Sequence, residues 1–454
     1  MLQAVNTALW GPGTLALLLG TGVLLTIRMD LLPWRRLGFA LRSALGREAR
    51  RSDGSGVSPF SALMTSLAAT LGTGNIVGVA TALVAGGPGA LVWMELSALF
   101  GMATIFAEST LCVKYRRRDG RGQWMGGPMY LMEAAFGPRH GHRLGAVFAL
   151  FAVGASLGIG SMTQANAITQ ALSGTFGLPA GPVGLAAAGL ALAAILGGIR
   201  SISKITSVLV PVMGIFYLGA GLVVILGNLS QLPAGLAAIF RSALCPNAAA
   251  GGLAGMWAAA RWGVARGVFS NEAGLGSAGI AAACAGTDDS VRQGCISMTS
   301  AFFDTTVICT VTGLAICCSG VLGTVDSAGR PVNGGDLTIL AFRTVLGDLG
   351  GRCIAVSIAL FAFSTILGWA YQGETAFAYL THGRGRLFYR LAYVLAALWG
   401  AGARLESVYL FSDICNALMA MPNLVCLMAL SGEAVRAAHQ IPGGRSRRAP
   451  LSAR

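Results

Sequence analysis

Two stretches of this chain have the residue types and spacing of a small-molecule and ion site. They are Leu71-Gly-Thr-Gly-Asn-Ile-Val-Gly-Val-Ala80 and Phe269-Ser-Asn-Glu-Ala-Gly-Leu-Gly-Ser-Ala278, each setting glycines and short polar side chains inside an apolar run. Gly72, Gly74 and Gly78 each weaken a helix by roughly 1 kcal/mol relative to Ala. In lipid every amide and carbonyl needs a partner. Such a helix unwinds only where something else serves the freed groups. A bound amino acid and a cation do so: amides opening the second half-helix hold a carboxylate, and carbonyls ending the first half hold a cation. Close helix packing is the other use of membrane glycines. Two clusters in one chain favour the binding role.

Such clusters need membrane-crossing helices to carry them, and the composition supplies these. The 454 residues include only 32 basic and 18 acidic side chains, 11% charged in all, against about 25% in a soluble domain. Hydrophobic residues make up 54%, with 65 glycines and a mean hydropathy of +0.68. A soluble enzyme, a disordered chain and a nucleic-acid binder are excluded, because none carries repeated charge-free stretches of about 20 residues. The reading is an all-α polytopic membrane protein whose main surroundings are the lipid bilayer.

Apolar runs predict eleven spans, at about 7–27, 60–85, 88–113, 145–172, 183–199, 206–227, 252–282, 293–319, 353–380, 387–402 and 406–430. Residues 1–27 have no positive n-region, so the first run reads as a span and not as a cleaved signal. The net charge of +14 is a topology signal. With the N-terminus outside, 25 Lys and Arg fall on the cytoplasmic side, in 28–58, 114–143, the short loops at 200–204, 292 and 384–390, and the tail after 430. Only Arg241, Arg330, Arg343, Arg352 and Arg404 fall outside. The asymmetry predicts a multi-pass protein of the bacterial inner membrane with a cytoplasmic C-terminus.

After the first span, ten remain, and they divide into two sets of five that enter the membrane from opposite sides. Each set opens with one of the glycine clusters. Each second span carries an acid, Glu95 and Glu108 in one and Asp304 in the other. The predicted organisation is 1–58, an N-terminal span with its basic loop; 59–227, a first five-helix repeat; 228–432, a second, inverted repeat; and 433–454, a basic tail. Paired interrupted spans in corresponding places are the best sequence pointer to a transporter's binding site.

The runs LGTGNIVGVATAL (71–83), GGPMYLMEAAFG (126–137), RWGVARGVFSNEAGLGSA (261–278) and FAFSTILGWAYQGE (361–374) resemble the alanine or glycine:cation symporter family. The resemblance implies a five-plus-five inverted-repeat fold like that of the leucine-transporter group. It also implies import of small neutral amino acids, usually with sodium. Carried over by motif, Thr73, Gly74 and Asn75 look like the substrate-carboxylate cradle. Gln164 resembles the family's pocket glutamine. Phe269, Ser270 and Asn271 sit at the second break, and Thr365, Gly368 and Trp369 lie opposite the first. The Ser364 and Thr365 hydroxyls, with the carbonyls of Ala68 and Leu71, resemble the sodium site shared by the fold. Trp369 looks like the wall that limits side-chain size. Leu131 and Met132 depart from the family pattern, outside the proposed pocket.

The remaining features are read more simply. The ten cysteines form no CxxC pair and mostly fall in apolar stretches, where they act as small hydrophobes. All four histidines lie in polar loops or the tail. With no nucleophile–base or metal-ligand constellation, a membrane enzyme is disfavoured. No GxxxxGK[ST] is present, which excludes a nucleotide-driven pump. A channel would need ring-forming filter repeats. Proton coupling is the serious alternative to sodium. Glu108, Glu374 and Asp413 are expected near span ends, reaching water or a loop arginine. Arg261, Arg266, Glu272 and Asp304 are deeper and are expected to form an ion-pair or gating network.

Overall fold

Helix starts follow from local chemistry. Pro12, Pro59 and Pro128 each stand at the first turn of a helix, where a missing N–H costs nothing. The Ser58 side chain accepts from the Ser61 amide, Asp289 from the Arg292 amide, and Asn333 from the Gly334 amide. The computed structural model describes residues 2–120, 122–244, 252–403 and 405–441. Arg121, Cys245, Arg404 and the arginines of the tail beyond 441 lie outside the described residues.

The chain opens with α1 (Leu2–Leu9) and α2 (Pro12–Arg28), then two short helices, α3 (Leu32–Arg35) and α4 (Leu37–Leu45). A broken pair follows, α5 (Pro59–Thr70) and α6 (Val77–Gly86), then α7 (Ala90–Lys114). A small antiparallel hairpin pairs Arg117 with Met125 and Arg118 with Trp124. Next come α8 (Pro128–Ala155), a π-helical turn over Ser156–Met162, α9 (Thr163–Phe176), α10 (Ala180–Leu196), α11 (Gly198–Gly227) and α12 (Leu232–Leu244). A second broken pair is α13 (Gly252–Asn271) and α14 (Ser277–Ala283). Then α15 (Ser290–Ala301) runs through a π turn over Phe302–Cys309 into α16 (Thr310–Cys318). The last elements are α17 (Gly334–Leu380), α18 (Arg386–Gly402), α19 (Glu406–Ala429) and α20 (Ser431–Ala438).

Seven helical stretches among the described residues are long and apolar enough to cross a membrane, and α5 with α6 makes an eighth that bends by 60° at its break. Their outward faces carry large apolar side chains such as Leu150, Val208 and Ile215, all largely exposed. A contiguous apolar exterior of this kind is a lipid-facing one. The interior is closed by side chains such as Phe106, Phe148, Phe361 and Tyr393.

Two predicted spans turn out to be parts of longer rods. The one at 145–172 lies within 128–176, where Gly137 (φ 77°) followed by Pro138 separates an extra first segment. The one at 353–380 is the second part of α17, set off by Gly347 (φ 56°). Left-handed backbone at a glycine is a cheap way to kink a rod without ending its helical contacts. α12, which no predicted span covers, lies against α16, with Gly235 facing Cys318.

Candidate functional site

The first discontinuity begins where α5 ends at Thr70. The chain passes through extended Gly72 and one 3₁₀ turn, Thr73–Asn75, before α6 starts. The freed backbone groups find partners. The Gly72 amide donates to the Asn75 Oδ1 at 3.0 Å. The Asn75 carbonyl accepts from the Thr312 hydroxyl at 2.9 Å, and the Ile76 carbonyl from the Thr338 hydroxyl at 3.2 Å.

The second discontinuity follows Asn271. Glu272 (φ 55°), Gly274 (φ 85°) and Gly276 (φ 96°) are all left-handed, and α14 starts only at Ser277. Asn271 Oδ1 caps the turn by accepting from the Ala273 amide at 3.0 Å. Asn423 of α19 donates to the Gly274 carbonyl at 3.0 Å and to the Glu108 carboxylate at 2.9 Å. The other Glu108 oxygen accepts from the Gly279 amide at 2.7 Å.

The two breaks touch. A Cβ on Gly74 would lie 3.6 Å from both the Phe269 ring and the Ser270 Cα. Asp304, on the π turn between α15 and α16, ties them together. Its Oδ1 accepts from Asn75 Nδ2 at 2.8 Å, and its Oδ2 accepts from the Ser270 hydroxyl at 2.9 Å and the Thr305 hydroxyl at 2.8 Å. π turns widen a helix by one residue and commonly mark functional positions.

Opposite the first break runs α17. Ser364 Oγ lies 3.3 Å from the carbonyl oxygens of both Ala68 and Leu71, and Thr365 Oγ1 lies 3.4 Å from that of Leu71. Two hydroxyls and two carbonyls thus converge: hard oxygen donors without formal charge, the donor type that suits a hard cation. The close approach depends on glycine. A Cβ on Gly72 would sit 2.5 Å from Thr365 Oγ1, and one on Gly368 would sit 2.5 Å from the Ala69 nitrogen. One turn further on, Trp369 is buried against Gly160 of the first π turn and donates its indole N–H to Glu272 Oε1 at 2.9 Å. Gln164 is buried as well. Its Nε2 donates to the Ile159 carbonyl at 3.0 Å, while its Oε1 has no protein partner among the described residues.

A cavity of about 1130 Å³ reaches down to Thr73, Gly74 and Phe269, and Arg261, Arg266 and Asp413 line it further out. A second cavity, of about 1030 Å³, lies at the other end of α17 and is lined by Tyr371, Glu374 and Arg390 among others. Between that end and the breaks the chain is strapped shut. Val57 exchanges backbone hydrogen bonds with Cys284 and Gly286, at 3.1 and 2.7 Å. The Arg116 guanidinium donates to the carbonyls of Ala283, Ala285 and Thr287 and stacks 3.8 Å over the Trp124 ring. In the same strap the Ser55 hydroxyl and amide bond Asp53 and hold its carboxyl below the usual carboxylate range.

Of the thirteen positions singled out from the sequence, Thr73, Gly74 and Phe269 line the cavity, Asn75 and Ser270 turn their polar atoms into Asp304, and Asn271 donates to Thr305 beside it. Ala68, Leu71, Ser364 and Thr365 converge, Gly368 packs on Ala69, Trp369 bonds Glu272, and Gln164 is held at the first π turn by the Ile159 carbonyl. Two expectations for the charges need correction. Glu108 is fully buried and bonded by Asn423 and Gly279, with no loop arginine, because α7 carries it inward against α14. Arg261, Arg266, Glu272 and Asp304 form no ion-pair network among the described residues. The two arginines face the cavity, with Arg266 over the Trp262 and Phe269 rings, and the two acids are held by neutral donors. Glu374 does pair with an arginine, Arg390 in the second turn of α18, at 2.7 and 2.8 Å. The Asp304 bridge, the Asn423 cap and the Arg116 strap were not visible from spacing, since each joins residues far apart in the chain.

The model of the sodium:alanine symporter family matches residues 1–445. The sodium/alanine symporter AgcS of Methanococcus maripaludis is 46% identical over 440 residues, covering 96% of this chain and 95% of AgcS. The probable sodium/glutamine symporter GlnT of Bacillus subtilis is 37% identical over 428 residues, covering 94% and 87%. Among solved structures, that of MhsT in complex with L-phenylalanine matches with a TM-score of 0.55 at 14% identity, over 87% of this chain and 98% of MhsT. At that identity the likeness is one of fold alone.

Proposed function

The chain belongs to the sodium:alanine symporter family, and on that premise we propose that it imports alanine or glycine with sodium by alternating access. One observation carries the reading: two broken helices abut at mid-rod, with a quartet of neutral oxygens on one side and an open cavity leading to the other. Sodium sits among the carbonyls of Ala68 and Leu71 and the hydroxyls of Ser364 and Thr365. A small zwitterion lies between Thr73, Gly74 and Asn75 on one break and Phe269, Ser270 and Asn271 on the other. The free Gln164 Oε1 accepts from its ammonium group, and Thr365, Gly368 and Trp369 bound its side chain. Neutral ligands hold a monovalent cation loosely enough to release it in each cycle.

The eleven-span reading and the two inverted sets of five, 59–227 and 228–432, supply the frame. On it, α10, α18 and the broken α13–α14 each serve as one crossing. The positive-inside asymmetry puts the cavity that reaches Thr73 on the outer face and the Arg116 strap on the cytoplasmic face. The chain is then open outward and shut inward, and the strap from Val57 to Arg116 must loosen for release. The N-terminal segment 1–58 contributes part of that strap, and the tail 433–454 is cytoplasmic.

Proteoliposomes test this. Labelled L-alanine is expected to accumulate under an inward sodium gradient, to saturate, and to fail to accumulate with potassium. Accumulation driven by a proton gradient alone would transfer the coupling to Asp304 or Glu272. Flux that neither saturates nor needs a gradient would mark a channel. Within the cation site, Thr365→Ala is expected to raise the sodium concentration for half-maximal uptake about tenfold, the effect of losing roughly 1.4 kcal/mol. An unchanged sodium response would remove Thr365 from the ligand set.

A further inference from the structure

We infer that Glu272 sets the substrate size limit of this protein, by holding the Trp369 indole in place from the break of the second discontinuous helix. The inference rests on the reading of Trp369 as the pocket wall. It assigns a positioning residue behind that wall.

Glu272 is a buried carboxylate whose two oxygens are both engaged. One accepts the Trp369 indole N–H at 2.9 Å, and the other accepts the Ser277 hydroxyl. No lysine or arginine pairs with it among the described residues. An acid buried in a membrane protein without a cationic partner is expensive and is kept for what it does. Charged or neutral, its acceptor oxygen gives the indole N–H a partner in a place where water supplies none.

Its backbone is unusual in the same direction. With φ at 55°, Glu272 is a non-glycine residue in the left-handed region, although glycines stand two and four positions later. Such a residue costs of order 1 kcal/mol or more and persists where its surroundings require it. The left-handed turn ends α13 and leaves the carboxylate against α17, where Trp369 sits.

Trp369 is clasped from two sides. Its root packs on Gly160, where any Cβ would collide with the Trp369 Cβ and Cγ. Its far end is fixed by the single N–H bond to Glu272. Without that bond the root stays in place and the ring is held by apolar packing alone, which leaves its other side-chain rotamers open to a larger substrate. The space beside Thr73 and Phe269 would then admit a larger side chain. Because Glu272 belongs to the break itself, the wall is set only when that break has its folded geometry.

The test is the ratio of L-leucine to L-alanine uptake in proteoliposomes. Glu272→Ala, which leaves the indole whole and removes its partner, is expected to raise the ratio roughly tenfold, the scale on which apolar pockets discriminate small size differences. Trp369→Phe, which removes the N–H together with part of the ring, is expected to raise it at least as much. The double variant is expected to match Trp369→Phe, since Glu272 has no further bond to the ring to lose. Glu272→Gln keeps an acceptor oxygen and is expected to hold the ratio near that of the unaltered chain. A merely structural role would lower both uptakes together and leave the ratio alone. If Glu272→Ala fails to reach the membrane, Trp369→Phe tests the same bond, and an unaltered ratio there overturns the inference. Trp369→Ala separates the two levels. If it leaves the ratio unchanged, the wall reading fails. If it changes the ratio while Trp369→Phe and Glu272→Ala do not, only the role of Glu272 fails.

Discussion

Asn75→Ala is expected to reduce L-alanine uptake at least about a hundredfold while the chain still reaches the membrane. Asn75 is completely buried and works in two directions. Its carbonyl oxygen takes the Gly72 amide, and its nitrogen donates to the Asp304 backbone carbonyl at 3.0 Å and to its carboxylate at 2.8 Å. Alanine strands a backbone amide at the first break and takes a donor from a buried carboxylate. Each stranded group costs about 1–3 kcal/mol, and roughly 3 kcal/mol in all is a hundredfold. The loss falls on the geometry of the break, because Asn75 is the only described side chain bonded to both Gly72 and Asp304. Asn75→Asp sets a second carboxylate against Asp304 and is expected to be no better. Uptake assays normalised to protein in the membrane check both. Ordinary uptake in Asn75→Ala would move the substrate away from this break.

Gly368→Ala is expected to abolish the response of uptake to sodium. A Cβ there would lie 2.5 Å from the Ala69 nitrogen, 2.7 Å from its Cα and 2.8 Å from its Cβ, and no flexible side chain is available to give way. α17 must draw back from α5, and small-to-large changes in a close-packed contact commonly cost 1–3 kcal/mol. Ser364 and Thr365 stand one turn earlier on the same rod, so their hydroxyls leave the carbonyls of Ala68 and Leu71. This single methyl group is expected to do more than Thr365→Ala, which removes one ligand and leaves the others in place. Gly214→Ala is the control: nothing lies within 4 Å of its Cβ position, and uptake is expected to be unchanged. A full sodium response in Gly368→Ala, measured as uptake against sodium concentration, would show that the cation is held elsewhere.

What could be read in the sequence was local. Glycines at 72, 74 and 78, and the Gly274 and Gly276 pair, mark breaks because their backbone freedom is written in the residue type. The observed interruptions fall inside the stretches 71–80 and 269–278. The convergence of Ser364 and Thr365 on Ala68 and Leu71 came from motif resemblance, since no spacing rule links positions 293 to 296 residues apart. Features that depend on distant partners stayed hidden. Asp304 reads as an isolated acid in an apolar run until Asn75, 229 residues away, is seen to bond it. Glu108 looked like a span-end acid because Asn423 lies 315 residues further on. Arg116 looked like one more topology arginine, and only the fold brings the carbonyls after α14 around it. The kinks at Gly137 and Gly347 were missed for a different reason. Each joins an apolar span to a more polar helical segment, and hydropathy records only the first.

The central claim is that one pair of broken helices holds an amino acid and a cation together. Equilibrium binding of labelled L-alanine to the purified chain, in sodium and in N-methylglucamine at equal ionic strength, tests it most directly. One saturable site is expected, tightening as sodium rises, with the sodium effect lost when Ser364 and Thr365 are both changed to Ala. Equal binding in the two salts, or no saturable binding in either, would contradict it.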